Sequence, residues 1–118
     1  MSSATSNFES DERFRNKHVI ITGAGGNFGR EGVIYFTLRG AKVSALDNNQ
    51  QTLKETIDEV TKILTSAGKL SGTNINDIVL TYECDVTKPS IVEEVISKVR
   101  IYYIHVFEYS QSWYKDDF

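Results

Sequence analysis

A run of mostly β-branched residues, Lys17-His18-Val19-Ile20-Ile21-Thr22, stops at a cluster of glycines, and a helical pattern begins at Asn27. Between the two lies Gly23-Ala24-Gly25-Gly26-Asn27-Phe28-Gly29. A strand that enters such a turn and leaves it as a helix has few folds open to it. Gly23 lets the chain turn sharply, and Gly26 or its neighbour lets the backbone approach a bound group with no side chain between them. Gly29 lets the helix lie close on the strand. The helix N-terminus then offers unpaired N–H groups and the positive end of its dipole, which suits phosphate. These features predict a pyrophosphate site formed by Thr22, Gly23, Gly25, Gly26, Asn27, Phe28 and Gly29. The nucleoside triphosphate loop Gly-x-x-x-x-Gly-Lys-Ser/Thr does not fit, because Phe28 stands five residues after Gly23 and Arg30 five after Gly25.

Downstream the alternation continues. A first helix is expected over 27–39, with Phe28, Gly32, Phe36 and Gly40 at helical spacing, Arg30 and Arg39 free to face water, and Gly40 closing it. A second strand spans 41–47. Asn48 and Asn49 break it and can cap a helix over 50–67, whose apolar stripe is Leu53, Ile57, Val60 and Ile63 or Leu64. A loop covers 68–74, and a third strand spans 77–84, ending at Asp85. Thr87 is expected to cap a last helix that tolerates Pro89 in its first turn and buries Ile91, Val95, Val99 and Tyr102. Alternating strands and helices with right-handed crossovers give an α/β fold, a Rossmann-like doubly wound parallel sheet of three to four strands. The expected order is 3-2-1, with 104–107 as a fourth strand beside strand one.

Asp47 ends the second strand, eighteen residues beyond Gly29. A carboxylate at that place in this fold accepts hydrogen bonds from the adenosine ribose hydroxyls. A 2′-phosphate would meet a like charge there, and Asn48-Asn49 supplies no arginine to receive it, so NAD is expected rather than NADP. Around this dinucleotide-binding half-domain, 17–100, residues 1–16 read as a flexible Ser-rich tail and 101–118 as an atypical C-terminal tail. The first segment has neither the apolar centre of a signal peptide nor the acid-poor composition of a transit peptide, which makes the cytoplasm the expected location. With a net charge of −3 there is no electrostatic reason to expect nucleic acid or an anionic membrane as partner. The lone Cys84, flanked by Leu80, Tyr82 and Val86, reads as a small buried strand residue. His18 and His105 lie far apart with no thiol or acid at ligand spacing, so no metal site is expected.

Three stretches together, Val19-Ile20-Ile21-Thr22-Gly23-Ala24-Gly25-Gly26, Gly40-Ala41-Lys42-Val43 leading to Leu46-Asp47, and Cys84-Asp85-Val86-Thr87, resemble the short-chain dehydrogenase/reductase family over 17–99. The resemblance implies NAD-dependent alcohol–carbonyl oxidoreduction as the parent activity. It also implies that Asp85 meets the adenine amino group, with the Val86 backbone beside it. The family's usual turn has glycine where Asn27 stands, and asparagine tolerates a positive φ better than most residues. Read literally, Thr-Gly-x-x-Gly-x-x-Gly is the spacing of the extended branch, which includes sugar-nucleotide epimerases and dehydratases. The later two stretches resemble the ordinary oxidoreductase branch more.

The catalytic half of the pattern is missing. Where the family's fourth strand ends in Asn-Asn-Ala-Gly, this chain has Glu108-Tyr109-Ser110-Gln111. No tyrosine has a lysine four positions on: Tyr102 meets Val106, Tyr103 meets Phe107 and Tyr109 meets Trp113, while Tyr114 and Lys115 are adjacent. The family's reaction needs a tyrosine acid beside a lysine cation and a serine on the carbonyl oxygen. No catalytic residue can therefore be assigned. The expectation is a truncated relative that binds the adenosine-pyrophosphate part of NAD. The alternatives are a non-catalytic NAD-sensing or interaction module whose aromatic tail covers the sheet edge or docks a partner, or a relic of an extended-branch sugar-nucleotide epimerase or dehydratase. The exposed sheet edge also offers a surface for self-association.

Overall fold

A computed structural model of the chain describes residues 11–102. The expected fourth strand, Glu108 to Gln111, His105 and the Tyr102 side chain lie outside the described residues. Three strands, β1 (His18–Thr22), β2 (Lys42–Asp47) and β3 (Val79–Glu83), are all parallel and run in the order β1-β2-β3. This is the 3-2-1 order read from the other edge. Thr22 pairs with Leu46 and Asp47 with Glu83, so the carboxyl ends of the strands lie level.

The helices are α1 (Asn27–Leu38), α2 (Gln50–Ser66) and α3 (Pro89–Tyr102). Successive strand side chains point to opposite faces, and the sheet is apolar on both. Val43, Ala45 and Val79 pack with Val33 and Leu38 of α1 and with Leu53, Val60 and Leu64 of α2. Leu46 and Cys84 pack with Val95 and Val99 of α3. Sheet burial on both faces is what makes parallel strands stable. On the α3 face one polar pair is enclosed. His18 is fully buried, and its Nε2 lies 2.8 Å from Ser44 Oγ on the neighbouring strand.

Local signals explain most of the element ends. Asn49 caps α2, its side chain accepting from Thr52 N at 3.1 Å, an interaction of about 1 kcal/mol. Gly40 follows α1 with φ +95°, a conformation that suits glycine. β3 starts at Val79, two residues later than expected. Asn74 Oδ1 accepts from Asn76 N at 2.9 Å and winds Ile75–Asp77 into one 3-10 turn instead.

In α1 the expected face holds in part: Phe36 packs partly buried against the core, and Gly32 lies beside the Ile21 side chain. Phe28 is 95% exposed, and the buried residues are Val33, Thr37 and Leu38. Arg39, expected in water, lies over the Tyr35 ring at 3.8 Å and 3.5 Å from Asp11. Of the expected tail over 1–16, residues 1–10 are outside the described residues. The rest is held: the Phe14 ring packs tilted against Phe36 with ring centroids 5.2 Å apart, and Glu12 pairs with Lys69 at 2.7 Å.

Candidate functional site

β1 delivers the chain into the glycine turn at the level of Asp47. Gly23 has φ +66° with open space where a Cβ would sit, so its reason for being glycine is conformational. Gly29 has a steric reason. A Cβ there would strike the Gly23 carbonyl oxygen and stand 2.7 Å from Ala24 Cα, so α1 rests directly on the turn. At Gly26 a Cβ would meet only Gly23 O at 3.4 Å, an ordinary contact, and the residue is exposed. Gly26 is the extended N-cap of α1, and no side chain caps that helix. Asn27 is simply its first helical residue. The positive φ expected to test asparagine there does not occur, since Asn16 is the one non-glycine with positive φ among the described residues.

The turn is anchored from behind. Ala24 N donates to Leu46 O at 3.0 Å, and the buried Gly25 donates its N–H to Asp47 Oδ2 at 2.9 Å. The other Asp47 oxygen accepts from Asn49 N at 3.1 Å, so the carboxylate is oriented by two backbone donors. Thr56 Oγ1 donates to Ala24 O at 2.8 Å. Arg30 Nε donates to that same hydroxyl at 3.1 Å, and its Nη2 reaches Gly25 O at 3.4 Å. Thr52 stands so close to Gly25 that a Cβ on the glycine would overlap its hydroxyl. The sequence pattern carries no signal for these three side chains. Helical spacing leaves Arg30 free to face water and puts no threonine in the apolar stripe of α2, whereas Thr56 is fully buried and Ile57 only partly so.

Cys84 N donates to Asp47 O at 2.8 Å, which extends the β2–β3 ladder and places Asp85 just beyond it at the same end of the sheet. Asp85 Oδ1 accepts from Thr87 Oγ1 at 2.6 Å and from Thr87 N at 3.0 Å. These bonds hold the Asp85 carboxyl below the usual carboxylate range. Thr87 thus serves Asp85 rather than capping α3, which opens on Pro89. Val86 is half exposed beside it. Cys84 is buried, and burial pushes its thiol up, so it remains protonated at neutral pH.

The level strand ends therefore collect uncapped helix N–H groups, an exposed glycine, and two carboxylates fixed by backbone donors. Such a set can hold a ligand that carries phosphates and hydroxyls. A groove of about 550 Å³ between Leu53 and Ile57 of α2 and Val79 to Thr81 of β3 lies to one side and includes none of these residues. Among the described residues, no helix is long and apolar enough to cross a membrane, and no group of three His, Cys, Asp or Glu side chains could hold a metal ion.

Residues 17–106 match the family model for short chain dehydrogenase. An uncharacterized oxidoreductase of Thermotoga maritima is 42% identical over 45 residues, which is 38% of this chain and 18% of that protein. The structure of an NAD+-bound xylitol dehydrogenase is similar with a TM-score of 0.62 at 25% identity, covering 77% of this chain and 30% of that one. The C-domain of a bacterial malonyl-CoA reductase, determined with NADP, has a TM-score of 0.70 at 18% identity and shares the fold; the match covers 84% of this chain and 14% of that one. The chain thus spans less than a third of the length of each of these proteins.

Proposed function

The chain belongs to the short-chain dehydrogenase family, and on that footing we propose that it binds NAD through the adenosine and pyrophosphate half of the molecule. The observation that carries this reading is the placing of Asp47. Its carboxylate is fixed by Gly25 N and Asn49 N at a strand end, next to a helix N-terminus that no side chain caps. The Asn27, Phe28 and Gly29 N–H groups would meet the pyrophosphate, with Thr22, Gly23, Gly25 and Gly26 shaping the approach. Asp47 would accept from the ribose hydroxyls, and Asp85 with the Val86 backbone would meet the adenine.

When bound, the nicotinamide supplies a hydride acceptor or donor, which matches the parent chemistry of alcohol–carbonyl oxidoreduction. This chain's residues bind and orient. None of the six tyrosines has a lysine four positions after it. We accordingly expect the 118-residue polypeptide to consume no NADH above background with a panel of aldehydes and ketones. A rate that Asp47→Asn abolishes would overturn that expectation.

Of the two similar structures, one holds NAD+ and the other NADP, so the choice falls to local charge. A 2′-phosphate would stand beside the Asp47 carboxylate, and two like charges about 4 Å apart near a protein surface repel by several kcal/mol at most. Calorimetric titration should give tighter binding for NAD than for NADP. Asp47→Asn removes the charge but keeps an acceptor for a backbone donor, and should narrow the NAD-to-NADP affinity ratio by at least about tenfold. An unchanged ratio, or tighter NADP binding by the parent chain, would refute the assignment.

A further inference from the structure

We propose that Thr56 and Arg30 are positioning residues that lock the glycine turn in its ligand-accepting shape before any ligand arrives. The proposal rests on the dinucleotide reading above. Its starting point is the direction of one hydroxyl. Helical threonines usually satisfy their hydroxyls on their own helix, and here Thr37 bonds Val33 O, Thr61 bonds Ile57 O and Thr65 bonds Thr61 O, each at 2.7 Å. Thr56 instead turns away from α2 and donates to Ala24 O, 32 residues back in the chain. It is fully buried, where a valine would fill the same volume without a polar group to satisfy.

Both peptide units around Gly25 are consequently held on both sides. In the unit joining Ala24 to Gly25, the carbonyl accepts from Thr56 and the N–H donates to Asp47 Oδ2. In the unit joining Gly25 to Gly26, the carbonyl faces Arg30 Nη2 at 3.4 Å and the N–H donates to Gly23 O at 3.0 Å. Arg30 is itself held by the Thr56 hydroxyl and by Glu55 at 3.7 Å. Adjacent glycines left free would sample many backbone states, and a ligand would have to order them as it bound. With the Ala24 carbonyl pinned by Thr56 of α2 and the Gly25 carbonyl by Arg30 of α1, the turn leads straight into the uncapped first turn of α1. Neither side chain touches the ligand; both act through the turn, by lowering the ordering cost of binding.

The test compares Thr56→Val with Thr56→Ser. The valine variant keeps the volume and removes both hydrogen bonds, and the serine variant keeps the hydroxyl. Amide hydrogen exchange of the ligand-free chain should quicken at residues 25–29 in Thr56→Val, with β2 and the C-terminal half of α2 unchanged, and should match the parent in Thr56→Ser. Titration with ADP-ribose should show affinity lower by about five- to tenfold in Thr56→Val, the scale of one lost buried hydrogen bond, and restored in Thr56→Ser. Adenosine, which has no phosphate, should bind both variants like the parent. Faster exchange throughout the chain, or an equal loss for adenosine and ADP-ribose, would mark a general structural role and overturn the proposal. If the parent binds ADP-ribose but Thr56→Val matches it in exchange and affinity, the clasp alone falls. If the parent binds no ADP-ribose, the dinucleotide reading falls, and the clasp's part in binding falls with it.

Discussion

Gly29→Ala should lower the melting temperature by about 10 °C or more, while Gly26→Ala, three residues away in the same turn, should leave it within a few degrees. Both changes add one methyl group, so the contrast isolates what each methyl meets. At Gly29 it meets backbone: the Gly23 carbonyl oxygen, the Gly23 carbonyl carbon at 2.6 Å and Ala24 Cα at 2.7 Å. None of these can rotate away. Relief requires α1 to lift from the turn, which would disturb Val33 and Leu38 in the core beneath it. Overpacking of a tight contact costs about 1–3 kcal/mol, and the upper end applies where only backbone can yield. At Gly26 the methyl meets Gly23 O at 3.4 Å and otherwise solvent. Gly26→Ala should therefore keep the fold but weaken NAD binding, because its methyl would occupy the path by which a phosphate approaches. Circular dichroism melts and NAD titrations on the two variants check both halves. Equal melting temperatures would show that α1 does not rest on the turn as described.

That contrast also marks how far the sequence could be read. The three glycines at fixed spacing, a strand before them and an acid at the end of the next strand give the turn, the helix and Asp47 without any knowledge of packing. Asn49 is similarly legible, since a cap bonds a residue three positions on. The failures share a cause. Phe28 fits the apolar spacing of α1, but it sits at the second helical position, and the periodicity cannot show that none of the described residues covers it there. Thr56 and Arg30 read as a polar interruption and a solvent-facing cation because their partners are distant in the chain: Arg30 lies 26 residues from Thr56, and Thr56 lies 32 from Ala24. Hydrophobic pattern records which face is apolar. It is silent about which polar group will be buried to hold a carbonyl elsewhere.

His18 is a buried polar group of the same kind, and its effect should be read out by pH. Burial pushes its pKa down to about 4 from an ordinary value of 6.5, so it is neutral in the folded chain at pH 7. In the unfolded chain it would take a proton near pH 6.5. Between those values the unfolded state binds more protons than the folded one, so stability must fall as the pH is lowered from about 6.5 toward 4. The expected loss between pH 7.5 and 4.5 is about 2–3 kcal/mol from this one ring. Asp85 and Asp11, whose carboxyls are held below their usual range by Thr87 and Arg13, lose their contributions only at more acid pH. The interval from 6.5 to 4.5 therefore belongs largely to His18 among these groups. His18→Gln offers an uncharged amide to Ser44 Oγ, and urea unfolding at several pH values should show a flatter slope over that interval, whatever the variant's stability at pH 7.5. A slope as steep as the parent's would mean that the acid sensitivity arises elsewhere and that the His18–Ser44 pair tolerates a charge beneath α3.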